Sequence, residues 1–502
     1  YVPQRTIVTI VGDVDPDDAL ELGRRTYGSW EPLSGAVDPS PDEPPRREVR
    51  ARTLRGDVTQ AELALGWRGV PALDPLAIPL DLAAGVLAAG RGSWLYRSLR
   101  ESGLATSVDA HHYSPTELGL FTIGADCDPQ RVAPVVQKIA EATNRLAMSG
   151  PGADDLERTR MLLLARWSRR IEEMDGRAAS LASAEALGDY RLLDRDFLLL
   201  AETTAAQVRE AVSAVLYLPE ARGSDLTADA LARSFAVTEL GGSAAPRGGA
   251  SAGFGDAADS ADRATWPLRP SAPTRVVAEV HHVALPAFDL LVRRKPGVPL
   301  VTLGVYVPRI NFDPDGKAGV SALALRSAVR GAGEFDAAEL AFAFERLGGT
   351  LAASVALDWL GFSTTALASN LAHAGQLLDQ VLARPRYDDD QIQAERGLLV
   401  EETTQAADDM FRYPFQLALA AGFGDRAYGI PALGLPEQLS SISPEDVRSW
   451  HRQALLTPRG VIVAVGDLDT DRALRQLGSI FGGHAPRPET NLRTPVGWAL
   501  NG

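Results

Sequence analysis

Seven histidines and a single cysteine are the residues of this 502-residue chain best suited to hold a metal or move a proton near neutral pH. They are His111, His112, His281, His282, His373, His451, His484 and Cys127. Hydrolytic metal chemistry on a helix needs two ligands one turn apart and a carboxylate between them to activate water. No two of these histidines have that spacing. The neighbours His111–His112 and His281–His282 read as strand residues, whose side chains point to opposite faces, so neither pair converges on one ion. His373 is expected to face the core or a neighbouring helix, His451 to pack between helices, and His484 to lie in a loop. The lone cysteine excludes an intrachain disulfide and a thiolate metal cluster. The remaining candidates are the carboxylates of "AERGLLVEE". There Glu395 precedes Glu402 by two helical turns on about the same face. By themselves Glu395, Glu401 and Glu402 read as a solvated acidic face.

Other catalytic frames fail. There is no G-x-x-x-x-G-K-[ST] phosphate loop and no G-x-S-x-G nucleophile elbow. The glycines of "GAGEFDAAEL" lack the strand–glycine–helix setting of a dinucleotide site and serve a turn. The net charge of −15 argues against nucleic acid as a partner, since phosphate recognition needs basic surface. No apolar run approaches the ~18 residues of a membrane span.

The elements that must position these residues follow from periodicity. "PLVTLGVYVPRI" (299–310) alternates as a strand, "GLFTIGADCD" (119–128) reads as another, and "TLAASVALDWLGFSTTAL" (350–367) as a hairpin. Residues 74–102, 318–329, 336–349, 370–384 and 388–409 carry helical spacing. Strands beside hairpins with helices grouped between them predict an α+β fold of two-layer modules with a mostly antiparallel sheet.

The modules repeat. "TIVTIVGDVDPDDALELGRRTYG" (6–28) matches "RGVIVAVGDLDTDRALRQLGSIFG" (459–482) without a gap, Asp15 on Asp469 and Tyr27 on Phe481, 454 residues apart. Each copy reads as a buried strand, a turn and a helix capped by the aspartate. A weaker echo sets 119–142 against 361–384, and 154–166 against 390–402, with Glu157-Arg158 on Glu395-Arg396. These echoes divide the chain into the end of a first module (1–45), a second module (46–240), a Gly/Ala/Ser-rich linker (241–272), a third module (273–490) and the start of a fourth (491–502). The opening "YVPQRTIVTIVGD" already lies inside a strand-like run, so the sequence is expected to belong to a longer protein of about 900 residues.

Third-module segments such as "GKAGVSALALRSAVRGAG", "AELAFAFERLGGTLAASVALDWLGFSTTAL", "AERGLLVEE" and "FGDRAYGIPALG" resemble the catalytic-type module of the pitrilysin/insulinase family of zinc metallopeptidases. "AELALGWRGVPALDPLAIPLDLAAGVLAAGRGSWLYRSLRESGLATSV" resembles that family's second module. The family's inverted zinc motif is H-x-x-E-H. Laid on "GVSALALRS", it puts Ala322 at the first histidine, Leu325 at the general base and Arg326 at the second histidine. Glu402 falls at the third ligand's position. The resemblance therefore implies a degenerate third module, with no catalytic residue and no metal in this chain, and zinc only in an upstream first module. A sharper expectation than the acidic face is that Arg326 replaces the cation and pairs with Glu402 or Glu395. In "LRESGLAT", Arg100 corresponds to the arginine of the family's Arg…Tyr pair, and Thr106 stands where the tyrosine would be. Arg100 is expected to cap or pair locally.

By resemblance, this is the non-catalytic portion of a zinc metalloendopeptidase, forming the walls of a chamber that admits unfolded peptides. Its partners are those peptides and the first and fourth modules, or a companion subunit. The alternative is a catalytically inactive family member acting as a scaffold, a regulatory subunit or a peptide-binding partner. Fused members are often exported in bacteria, which leans towards the periplasm and leaves the cytoplasm open.

Overall fold

Alternating burial builds the sheets. In β2 (Ala61–Gly69), Ala61, Leu63, Leu65 and Trp67 are buried while Glu62 and Ala64 face solvent. This is the pattern of an antiparallel strand with one covered face. The computed structural model describes residues 2–32, 52–56, 60–216, 236–242, 279–309, 313–406, 412–424 and 427–488. β2 belongs to a five-stranded sheet with β1 (Arg52–Gly56), β3 (Ser107–Tyr113), β4 (Gly119–Cys127) and β5 (Ala236–Gly242), in the order β1-β5-β2-β4-β3. A second sheet holds β6 (Val280–Ala284), β7 (Phe288–Arg294), β8 (Leu300–Pro308), β9 (Ala352–Val355), β10 (Trp359–Leu367) and β11 (Gly460–Gly466). Its order is β6-β7-β11-β8-β10-β9.

The two sheets share one topology. Without the edge strand β6, β7-β11-β8-β10-β9 corresponds to β1-β5-β2-β4-β3. In each, the first pair is parallel and the rest are antiparallel. The fold is α+β, with a mostly antiparallel sheet covered by helices in each unit. Helix α1 (Pro16–Tyr27) precedes the first sheet. That sheet is covered by α2 (Ala77–Ala88), α3 (Val132–Ser149), α4 (Ala153–Glu172), α5 (Met174–Ala186), α6 (Leu192–Glu202) and α7 (Ala205–Val215). The second is accompanied by α8 (Val320–Ala328), α9 (Ala337–Arg346), α10 (Leu371–Ala383), α11 (Asp389–Gln405), α12 (Arg412–Phe423), α13 (Pro436–Leu439), α14 (Pro444–Trp450) and α15 (Thr470–Phe481). Each sheet carries its own apolar core, one centred on Leu65, Leu80 and Phe121, the other on Leu303, Leu323 and Phe362.

The long repeat is kept to the residue in its helices. α1 and α15 begin and end 454 positions apart, each capped by an aspartate, Asp15 or Asp469. The closing glycines, Gly28 and Gly482, donate to Arg24 O and Gly478 O, the same offset again. The preceding strand is not kept. Residues 460–466 form β11 between β7 and β8, whereas residues 6–12 form no strand and α1 buries no residue. A central strand exists only where neighbours on both sides take up its backbone groups. Among the described residues, 6–12 have none.

The shorter echo is corrected by two residues. Arg160 on α4 donates to Thr203 O at 2.8 Å, just before the capping box that starts α7. Arg396 on α11 donates to Ile442 O at 2.9 Å, just before the capping box that starts α14. Arg160, not Arg158, is therefore the counterpart of Arg396. Glu157-Arg158 on Glu395-Arg396 matches residue types, whereas the helices align by where they begin. The linker and the start of a fourth module lie outside the described residues, apart from Gly241 and Gly242, which close β5.

Candidate functional site

The candidate site lies where α8 meets α11. Gly319 starts α8 at φ +101°, a conformation that favours glycine. A Cβ there would come within 2.5 Å of Leu439 Cδ2. The first turn of α8 is fixed by Asp313, which accepts from Gly319 N at 2.6 Å and Ser321 N at 3.3 Å and is itself paired with the buried Arg309 at 3.2 Å. α11 starts with Asp389 and Asp390 in its first turn, favourable against the helix dipole.

These anchors bring Arg326 to face Glu395 and Glu402. Arg326 Nε donates to Glu395 Oε2 at 3.1 Å, and its Nη1 donates to Glu402 Oε2 at 2.6 Å. Glu395 is buried and Glu402 is at the surface. Burial disfavours the charge on Arg326, but its hydrogen bond to Glu402 and the fields of Glu395 and Glu402 outweigh it, and its pKa is held above the ordinary value. Arg330, just past the end of α8, donates to the other oxygen of Glu395. The motif search did not single out Arg330. Its signal was the spacing: it follows Arg326 by four residues, about one helical turn.

These residues do not fit a zinc ion. Ala322 and Leu325 have no ligand atoms and both are wholly buried in the core. Both oxygens of Glu395 and one of Glu402 are already taken by fixed guanidinium groups. Among the described residues, no group of three His, Cys, Asp or Glu side chains is placed to hold a metal. An arginine carries charge but offers no open coordination position and polarises no bound water. The arrangement neutralises carboxylates and ties two helices together.

The histidines lie elsewhere. His112 is enclosed and meets Asp81 Oδ1 at 3.1 Å, while its neighbour His111 points to solvent. Burial raises the pKa of the Asp81 carboxyl, against the hydrogen bond and charge of His112. His281 and His282 are both partly exposed on β6. His451 is buried and donates to Leu382 O at 2.9 Å. His484 follows α15 and meets Asp379. His373 corrects an expectation: it is exposed, on the rim of an open groove beside α9. Its helix buries Leu371, Ala374, Leu377 and Leu378 instead. Arg100, expected to cap or pair locally, makes no side-chain hydrogen bond or ion pair among the described residues. Glu401 is exposed, as a solvated face requires.

Comparison with known proteins finds a family match at the start of the chain. The family described as Peptidase M16 inactive domain matches residues 1–163. An uncharacterized zinc protease of Mycobacterium tuberculosis is 28% identical over 151 residues, 30% of this chain and 34% of that protein. An uncharacterized zinc protease of Bacillus subtilis is 24% identical over 196 residues, 39% of this chain and 47% of its own length. The beta subunit of human mitochondrial-processing peptidase is 21% identical over 207 residues, 40% and 42% of the two chains. The chain thus spans between a third and a half of the length of these relatives. Over residues 1–163 the chain is similar to the inactive domain of the M16 peptidase family, and over part of its length to zinc proteases.

Proposed function

We propose that this chain forms part of the wall of a peptide-degrading chamber whose zinc is held by a module outside it. The observation that carries the reading is the state of the motif positions: Ala322 and Leu325 are sealed in the core, and Arg326 bridges Glu395 and Glu402. On this reading, residues 1–45 end a first module, 46–240 and 273–490 are the second and third, 241–272 link them, and 491–502 begin a fourth. The match between α1 and α15 supports the assignment of the opening residues. Partly exposed Ala19 and exposed Tyr27 stand at the positions of Ala473 and Phe481, which are buried against the second sheet. Partners are unfolded peptides and either the missing modules or a companion subunit.

The test is zinc content and cleavage of an unfolded peptide, measured on this chain alone and on the product extended upstream or joined by its companion. The expected outcome is one zinc and cleavage in the larger product, with neither in the chain alone. Stoichiometric zinc in the chain alone overturns the reading. A larger product lacking both leaves the scaffold function, the second reading.

A further inference from the structure

A cavity of about 320 Å³ lies between the helices of the two sheets, bordered by Arg91, Tyr96, Val108, Val329, Leu340 and Leu351. That is roughly ten times the ~30 Å³ share of a liquid water, and at the lower end of the range of ligand pockets. Its lining is apolar apart from Arg91, Tyr96, Glu345 and Thr350. Arg91 has no hydrogen bond or ion pair to its side chain among the described residues, and neither has the Tyr96 hydroxyl. Burial, and then the charge of Arg330, push the Arg91 pKa down.

The nearby carboxylates do not answer Arg91. Glu345 borders the cavity but is spent on Arg158 and the Gly92 N–H. Glu395 is spent on Arg326 and Arg330. Glu101 is within the electrostatic reach of Arg91 but makes no ion pair with it, and burial drives the Glu101 carboxyl towards its neutral form. A half-buried cation without a partner is costly unless something supplies the anion. A phosphate suits the site poorly, because one guanidinium and one hydroxyl among apolar walls cannot replace the hydration of a dianion. A carboxylate on an apolar stem suits a free guanidinium and hydroxyl set among apolar side chains.

We propose that this cavity binds the C-terminal carboxylate of a short peptide ending in an apolar residue. The Arg91 guanidinium and the Tyr96 hydroxyl donate to the carboxylate, and the last side chain lies among Val108, Val329, Leu340 and Leu351. The identity of the ligand rests on the peptide-chamber reading, whereas the cavity's preference for a carboxylate does not.

The test is calorimetric titration of the intact 502-residue chain with acetyl-Ala-Leu and with its C-terminal amide. The free acid is expected to bind at least tenfold more tightly than the amide. Arg91→Gln is expected to abolish that preference and Tyr96→Phe to reduce it severalfold. Because Arg91 has no partner to lose, the melting temperature of Arg91→Gln should stay level or rise. Equal binding of acid and amide, no binding of either, or a preference that survives Arg91→Gln overturns the proposal. If Arg91→Gln fails to fold, the comparison of acid with amide on the unaltered chain still decides. No step requires zinc or cleavage, so this test can fail while the chamber reading stands, and the reverse.

Discussion

Arg158 on α4 and Glu345 on α9 form an ion pair 2.8 Å long from which solvent is excluded on both sides, and it joins the two sheet units. Glu345 also accepts from Gly92 N, and Arg158 also donates to Ala89 O at 2.6 Å. Burial raises the Glu345 pKa even against Arg158 and the backbone donors. Desolvation therefore consumes most of the attraction. Removing one partner, as in Arg158→Ala or Glu345→Ala, is expected to cost about 3–5 kcal/mol. Arg158→Met combined with Glu345→Leu should recover most of it. Denaturant unfolding of the three variants checks this, and a double variant no better than the singles would show a net-favourable pair.

Gly90 makes room for this pair. It adopts φ +78°, and a Cβ would stand 2.3 Å from Glu345 Oε1. Gly90→Ala is expected to lose ~1–2 kcal/mol to backbone strain alone, and more through displacement of the carboxylate. In a Glu345→Ala background only the backbone part should remain, and a double-mutant cycle measures the difference.

Arg160 and Arg396 hold equivalent carbonyls, Thr203 O and Ile442 O, in the two units. Each is a charge-assisted hydrogen bond at a helix start, so Arg160→Ala and Arg396→Ala are each expected to cost about 1.5–3 kcal/mol. Hydrogen exchange should show faster opening of α7 in the first variant and α14 in the second, each leaving the other unit protected.

Burial, with the charges of Arg452 and Arg487, lowers the His451 pKa to about 4 against the hydrogen bond to Leu382 O. A depressed histidine stabilises the fold fully above its unfolded value near 6.5, and that stability is lost as pH falls towards 4. The difference in unfolding free energy between the native chain and His451→Gln should therefore be flat above about pH 6.5 and shrink by about 3 kcal/mol by pH 4. A flat difference across that window would mean that His451 charges as freely in the fold as outside it.

Periodicity in the sequence was enough for the strands at 119–128 and 299–310, the hairpin at 350–367 and the helices that carry Arg326 and Glu402, because apolar spacing is a local property. That Ala322, Leu325 and Arg326 offer no zinc-ligand atoms was equally legible, since residue types need no coordinates. Strand formation at 6–12 was not, because a strand depends on neighbours that local pattern does not supply. The register between α4 and α11 lay in the segment bounds, 154–166 on 390–402, but the pairing of Glu157-Arg158 with Glu395-Arg396 slipped from it by two residues, and the carbonyls held by Arg160 and Arg396 show which arginines correspond.

The sequence by itself determined the α+β class and the lack of metal-ligand atoms at Ala322, Leu325 and Arg326, both of which follow from residue types at fixed spacings. Only the tertiary structure decided that Arg330 joins Arg326 on Glu395, that Arg158 and Glu345 join the two units, and that Arg91 faces a cavity without a counter-ion. These relationships lie between residues from 65 to 187 positions apart, or in the lack of any partner. Charge pairing at such distances is set by how the helices pack, and no local periodicity encodes it.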